Sequence, residues 1–367
     1  MGELRCRVRI ANCRRAALSG LIFLLLTILS GCEGRQSALA PAGKEAAEIA
    51  ALFYWMAGAG LLIWAVVIGL AFYLMFIAPT EHNERRSKLL IIGGGVVVPT
   101  LLLTLLLVLG LPMLPRLVAE APEDALVIEV EGLQWWWRVK YPDAQALDEF
   151  SVPAEGRPIR NASETTLSRG EETAVETANE IYLPVGQPVQ FYLTSGDVIH
   201  SFWIPSLGGK VDMVPGRRTR LRLTPTRTGT YRGACAEYCG GSHALMNFDV
   251  VVVEPEEFEA WLAEQRQPAV VPSDEWASRG EALFQPHGCG ACHTIRGTPA
   301  AGRVGPDLTH VGSRTSLAAA ALPNDREYFA RWIYDPGAVK PEALMPHFRH
   351  LPPDEIEALA AYLEALK

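Results

Sequence analysis

The chain has 367 residues, 49% of them hydrophobic, and 33 Lys and Arg against 41 Asp and Glu give a formal net charge of -8. That acidic balance argues against a nucleic-acid partner, which would need a basic surface. The length admits two or three domains, and the apolar residues are unevenly distributed along it.

The chain opens with Arg5, Arg7, Arg9, Arg14 and Arg15, then the apolar run LIFLLLTILS, then Gly31 and Cys32. Positive residues before a short apolar stretch read as an export signal. Its ending resembles a bacterial lipoprotein signal, so residues 1–31 are expected to be removed and the Cys32 thiol acylated. An uncleaved membrane helix is the alternative, although the run is short for a span.

A membrane anchor is expected over 32–118, with two transmembrane helices at about 52–78 and 89–111. The loop between them, PTEHNERRSK, carries Arg85, Arg86 and Lys88. By the positive-inside rule it is cytoplasmic, so everything after about residue 115 lies on the outer side.

From Ala125 the pattern turns to short β-rich runs, LVIEV, VQFYL, LRL and FDVVVVE, broken by Pro, Gly and Asp. This predicts an all-β domain over 119–266, with a cupredoxin-like Greek key as the fitting topology. A polar stretch over about 144–179 reads as an exposed, mobile insertion. Glu256 to Gln265 reads as a short closing helix with Phe258 and Trp261 on one face, and 267–272 as a linker. The last unit, 273–367, is helical at both ends and ends in an apolar stripe of Ile356, Leu359 and Leu363. The predicted fold class is therefore multi-domain: a transmembrane helical hairpin, an all-β cupredoxin-like domain and an all-α domain.

In the last unit Cys289-Gly-Ala-Cys292-His293 matches the pattern that attaches a c-type haem: two thiols bond the vinyl groups and the imidazole ligates iron. A redox C-x-x-C would instead need a βαβ frame. Met345, followed by Pro346, is the expected second axial ligand, ahead of His287, His310, His347 and His350. The unit resembles a small cytochrome c domain, with GPDL at 305–308 and terminal helices expected to cross through Gly280, Phe284 and Tyr362. A Met/His iron carries electrons and does not react with substrate.

Between residues 120 and 265 there are only two histidines, His200 and His243, two cysteines, Cys235 and Cys239, and two methionines, Met213 and Met246. One Cys, two His and a weak Met suffice for a mononuclear blue copper site. Here CAEYCGGSHALM adds a second thiol, and two thiolates can bridge two coppers, each ended by one imidazole, with Met246 as a weak donor. A Cys235–Cys239 disulfide or a zinc site are the alternatives, and Met is a poor zinc ligand.

DVIHSFWIP, PGR at 215–217 and CAEYCGGSHALM resemble subunit II of the haem-copper cytochrome c oxidases, which carries the CuA centre. With the appended cytochrome, the chain resembles the fused subunit II of caa-type oxidases. The resemblance implies CuA ligands His200, Cys235, Cys239, His243 and Met246, with the backbone carbonyl of Glu237 completing the set and the Glu237 side chain facing subunit I, where it would help bind magnesium. It also implies an electron-accepting role for Trp135, which follows Gln134. The other reading is plain packing for Trp135, Trp136 and Trp137. Lys210 and Asp212 match family positions. Near the cytoplasmic start of the second span the chain reads Ile91-Ile92-Gly93-Gly94-Gly95, where the family often has an acidic residue linked to proton uptake.

The implied function is electron delivery from haem c to CuA and on to subunit I, which reduces oxygen to water with proton pumping. Subunits I and III are the implied partners, a soluble or membrane cytochrome c or a bc complex the implied donor, and the bacterial inner membrane the implied location. Alternatives are the CuA-containing subunit of a nitric oxide reductase and, from another class, a copper-delivery protein. Met246, His243 and the haem motif speak against the latter.

Overall fold

The computed structural model describes residues 33–77, 83–120, 122, 124–142 and 174–367. The expected signal 1–31, Cys32 and most of the polar insertion lie outside the described residues.

Helix α1, Lys44–Phe72, continues as a π-helical turn, Tyr73–Ile77. The second long helix runs as α2, Glu84–Ile92, a π turn at Gly93–Val97 built on three glycines, and α3, Val98–Gly110. A short α4, Met113–Val118, follows. Leu61 and Trp64 of α1 and Leu101 and Leu103 of α3 are all more than 60% exposed, and helices this apolar on every side match lipid as solvent. The two helices span 34 and 33 residues, Lys44–Ile77 and Glu84–Arg116, longer than the expected 52–78 and 89–111. The first starts early because its polar opening turn bonds to protein: Glu45 accepts the N–H of Thr224 at 2.8 Å.

Among the described residues, ten strands form two five-stranded sheets, one ordered β3-β2-β1-β5-β8 and the other β4-β10-β9-β6-β7. The first holds β1, Leu126–Leu133, β2, Trp136–Tyr141, β3, Val175–Ala178, β5, Val189–Ser195, and β8, Thr219–Leu223. The second holds β4, Glu180–Pro184, β6, His200–Trp203, β7, Lys210–Met213, β9, Gly229–Cys235, and β10, Asn247–Val253. The β1/β5 and β4/β10 pairings are parallel and the other pairings antiparallel. Alternation drives the packing: β1 buries Ile128 and Val130 and turns Glu129 and Glu131 outward. Trp137, Phe202 and Phe248 fill the centre, with Phe202 and Phe248 stacked at 4.9 Å.

The expected insertion does not reach residue 179. Val175 and Ala178 are 1% exposed and β3 pairs with β2, so 175–178 belongs to the sheet. VETA is too short to show alternation, and its pairing with a strand across the insertion is what makes it a strand.

Helix α5, Pro255–Gln265, closes the sandwich: Phe258 is buried and Trp261 stacks on Tyr182 at 4.3 Å. In the last unit α6, Glu275–Phe284, is capped by Asp274, which accepts from the N–H groups of Trp276 and Ala277 at 2.9 and 3.0 Å. It crosses α9, Pro353–Ala365, at Gly280, where a Cβ would lie 2.0 Å from the carbonyl oxygen of Ala358. Phe284 meets Tyr362 edge-on beside the crossing. Between them lie α7, Arg326–Tyr334, and α8, Pro336–Val339.

Candidate copper and haem sites

The pairing of β6 with β9, Phe202 opposite Cys235, brings the start of one strand to the end of the other. His200 and Cys235 thereby meet at one end of the sandwich. The chain then loops back through Cys239, a single 3₁₀ turn at His243–Leu245, and Met246 at the head of β10. Gly240 makes that loop possible: its φ is +117°, and a Cβ there would lie 2.9 Å from the Trp135 ring.

The donors converge. Cys235 Sγ and Cys239 Sγ are 3.8 Å apart and both cysteines are free. His200 Nδ1 lies 3.8 Å from Cys235 Sγ, and His243 Nδ1 lies 3.5 Å from Cys239 Sγ. Met246 Sδ is 3.8 Å from Cys239 Sγ, and the carbonyl oxygen of Glu237 is 3.1 Å from Cys235 Sγ. Ligand atoms of His200, Cys235 and Cys239 all fall within 4.8 Å of one another. Each imidazole therefore turns Nδ1 to a different thiol, and the thioether and carbonyl approach from opposite thiols. Two soft sulfurs, two imidazoles and a thioether fit copper and do not fit a hard cation.

Electrostatics prepare the sulfurs. The hydrogen bond between the thiols favours the thiolate of Cys235, which is held below its ordinary value, and keeps the proton on Cys239, whose thiol stands above it. His200 is held by Asp197, whose Oδ1 lies 2.8 Å from its Nε2. Burial pulls His200 down, but the bonds to Asp197 and Cys235 prevail and raise it to about 8. Burial likewise raises Asp197, yet bonds from His200 and from the N–H groups of Gln134 and Val198 hold it below the usual carboxylate range. Asp197 thus fixes which nitrogen of His200 faces the sulfurs. Sequence reasoning gave it no role, although it stands three residues before His200.

In the haem unit Cys289 opens a 3₁₀ turn, Cys289–Ala291, Cys292 caps it and His293 follows. His293 Nδ1 lies 2.8 Å from the carbonyl oxygen of Pro306, which leaves Nε2 free for iron. Burial lowers His293, keeping it neutral as a ligand must be, and burial pushes the Cys289 thiol up to about 11. Gly305 lies against the ring, where a Cβ would come within 2.5 Å of His293 Cε1. This arrangement fits a c-type haem. Met345 is half-buried on the segment after α8, and that segment also carries exposed His347 and His350. His310 is turned away, with Nε2 3.0 Å from the carbonyl oxygen of Gln267, and His287 pairs with Glu355.

The two units meet at the copper-site loop. Trp135 is 6% exposed and its indole N–H donates to the carbonyl oxygen of Cys239 at 3.0 Å, beside the Gln134 amide, which donates to the same oxygen at 2.8 Å. The Trp135 carbonyl accepts from Lys340 Nζ of the haem unit, which also donates to the Ala318 carbonyl. Burial pushes the Lys340 ammonium down to about 7. The next two residues continue the contact: Ser242 Oγ donates to the Pro341 carbonyl, and the N–H of Gly241 donates to Glu342 at 3.1 Å. Trp137 is a core residue, while Trp136 lies half-buried with the Arg138 guanidinium 5.0 Å from its ring. Lys210 and Asp212 form an exposed ion pair at 3.5 Å. The Glu237 side chain and Tyr238 are exposed, Tyr238 at 75%.

A cupredoxin-like sandwich with this donor set, a c-type haem unit docked on it and two apolar helices ahead of it define a membrane-anchored copper and haem protein. The family model described as cytochrome C oxidase subunit II, periplasmic domain, matches residues 126–254, and that described as cytochrome c matches 277–367. Cytochrome c oxidase subunit 2 of Alkalihalophilus pseudofirmus is 30% identical over 364 residues, covering 95% of this chain and 96% of that protein. The subunit 2 of Bacillus subtilis is 32% identical over 255 residues, covering 67% of this chain and 63% of that protein. Among solved structures, the periplasmic domain of subunit II of cytochrome oxidase of Bradyrhizobium japonicum is 27% identical, covering 40% of this chain and 96% of that one with a TM-score of 0.31. The chain belongs to the cytochrome c oxidase subunit II family and carries a cytochrome c domain at its C-terminal end. Its oxidase-subunit domain implies CuA copper, its cytochrome domain implies haem c, and its family implies a place beside subunit I in the membrane.

Proposed function

We propose that this subunit accepts electrons at haem c and delivers them through CuA to subunit I, where oxygen is reduced to water with proton pumping. The observation that carries the reading is the convergence of donors described above, three of whose ligand atoms lie within 4.8 Å, on a loop that the haem unit itself covers. Haem c and a binuclear copper centre, when bound, supply one-electron redox chemistry.

His200, Cys235, Cys239, His243, Met246 and the Glu237 carbonyl hold the copper; Cys289, Cys292, His293 and Met345 hold the haem. The set is rigid because each donor sits on a strand end or on a loop stapled to Trp135 and Gln134, which keeps the shell from rearranging when charge is exchanged. The exposed Glu237 side chain faces subunit I and takes part in a magnesium site there. Trp135 lies on the path between the two units. Subunit III is a further partner, the donor is a cytochrome c or a bc complex, the membrane is the bacterial inner membrane with residues 119–367 on the outer side, and Cys32 carries lipid.

The test is the electron paramagnetic resonance spectrum of the chain loaded with copper and haem, beside Cys239→Ser. The reading expects a hyperfine pattern from one electron shared by two coppers, collapsing to a single-copper pattern in the variant. A single-copper pattern in the wild type would overturn the ligand set.

A further inference from the structure

Three distant parts of the chain meet on the carboxylate of Asp249, which stands on β10 and is 1% exposed. Its Oδ1 takes Arg35 Nη2 at 2.6 Å and lies 3.8 Å from Arg232 Nε. Its Oδ2 takes the hydroxyls of Ser316 and Thr315, both of the haem unit, at 2.6 and 3.0 Å. Glu180, paired with Asp249 across the β4/β10 ladder, accepts the N–H of Thr315 at 2.6 Å. Arg232 completes the seat by donating to the Ala320 carbonyl at 3.2 Å. The haem unit thus rests on two acidic side chains of the sandwich.

Arg35 belongs to neither unit. It lies on the arm ahead of α1, and the arm is laid along the sandwich by the N–H of Arg232 on the Arg35 carbonyl at 2.8 Å and the N–H of Ala42 on the Ser206 carbonyl at 2.7 Å. Its guanidinium is still half-exposed, whereas the Asp249 carboxylate is almost wholly covered.

A carboxylate taken out of water is costly unless its charge is compensated. Thr315 and Ser316 bring hydrogen bonds but no charge, so compensation comes from the arginines, and Arg35 is the nearer. When the haem unit lifts away, Oδ2 returns to water and needs the arginine less. Arg35 therefore favours the docked arrangement over the undocked one, which is the condition for shifting that equilibrium.

We propose that Arg35 is a positioning residue: acting through Asp249, the N-terminal arm holds the haem unit on the copper-site loop. The inference rests on the functional reading above. Tunnelling falls steeply with distance, so the docked fraction sets the rate at which an electron placed on the haem reaches the copper.

The experiment uses the assembled oxidase with copper and haem in place. A small-molecule photoreductant reduces the haem in a flash, and haem reoxidation by the copper centre is followed optically. Arg35→Gln should slow that step about tenfold by depopulating the docked state, with the flash reduction of the haem and the copper resonance spectrum unchanged. Arg35→Lys should recover most of the rate, and in an Asp249→Asn background Arg35→Gln should have no further effect. The proposal is overturned if Arg35→Gln is as fast as wild type, or if it slows the step equally in the Asp249→Asn background. If wild-type haem passes no electron to the copper at all, the functional reading fails and this inference with it.

Discussion

The indole N–H of Trp135 donates to the carbonyl oxygen of Cys239 at 3.0 Å, so the tryptophan is fastened to the backbone of a thiol ligand. Gln134 holds the same oxygen at 2.8 Å. Trp135→Phe should therefore keep the copper resonance spectrum, because the Gln134 bond survives. It should lower stability by about 1 kcal/mol for the lost hydrogen bond, read from the denaturant midpoint. A collapsed copper spectrum would show that the indole, and not Gln134, sets the loop.

Asp197 orients His200, and removing its charge should be felt at the metal. Asp197→Asn is expected to weaken copper retention about 10- to 100-fold, measured by competition with a chelator. Retention equal to wild type would dismiss the carboxylate as an orienting group.

The same pair makes the copper-free chain sensitive to pH. His200 is raised from 6.5 to about 8 in the folded chain. Its contribution to stability is present in full below about 6.5 and is lost as pH rises through 8. Resonances of His200 in the copper-free chain should titrate near 8, and lower in Asp197→Asn. Titration near 6.5 in both proteins would contradict this.

Haem ligation by Met345 predicts a high potential. Met345→His should lower it by more than about 0.1 V, within the roughly 0.8 V range that axial ligands span. A redox titration decides, and an unchanged potential would remove Met345 from the ligand set.

At Gly280 a methyl group would meet the Ala358 carbonyl, a backbone atom that cannot step aside. Gly280→Ala should force α6 and α9 apart and destabilise the haem unit by about 1–3 kcal/mol. Thermal unfolding followed at the haem band would show it, and an unshifted transition would mean the crossing is slack.

What the sequence made legible was local. The haem motif, the C-x₃-C-x₃-H-x₂-M run and the apolar spans each lie within a few dozen residues, and chemistry dictates their spacing. Asp197 was within reach, since it precedes His200 by three residues, but an aspartate beside Gly196 reads equally well as a turn residue. Lys340 on Trp135 and Arg35 on Asp249 join residues 205 and 214 apart in sequence. No local pattern marks such pairs, because they exist only once segments far apart in the chain have folded against one another. The strand Val175–Ala178 was hidden for the same reason, its partner being the far side of an insertion.

The ties at the foot of the sandwich have a mechanical meaning. Ala42 is fully buried, Glu45 bonds to Thr224, and at the end of α4, just past the second span, Arg220 holds the Val118 carbonyl at 2.7 Å and Glu120 at 2.8 Å. The sandwich is therefore fastened to the opening turn of the first span and to the short α4 that follows the second, and does not hang from a tether. Its height above the lipid and its heading about the membrane normal are those of the helix pair. A bilayer that tilts the helices would tip the whole outer assembly with them, as a mast carries its lamp.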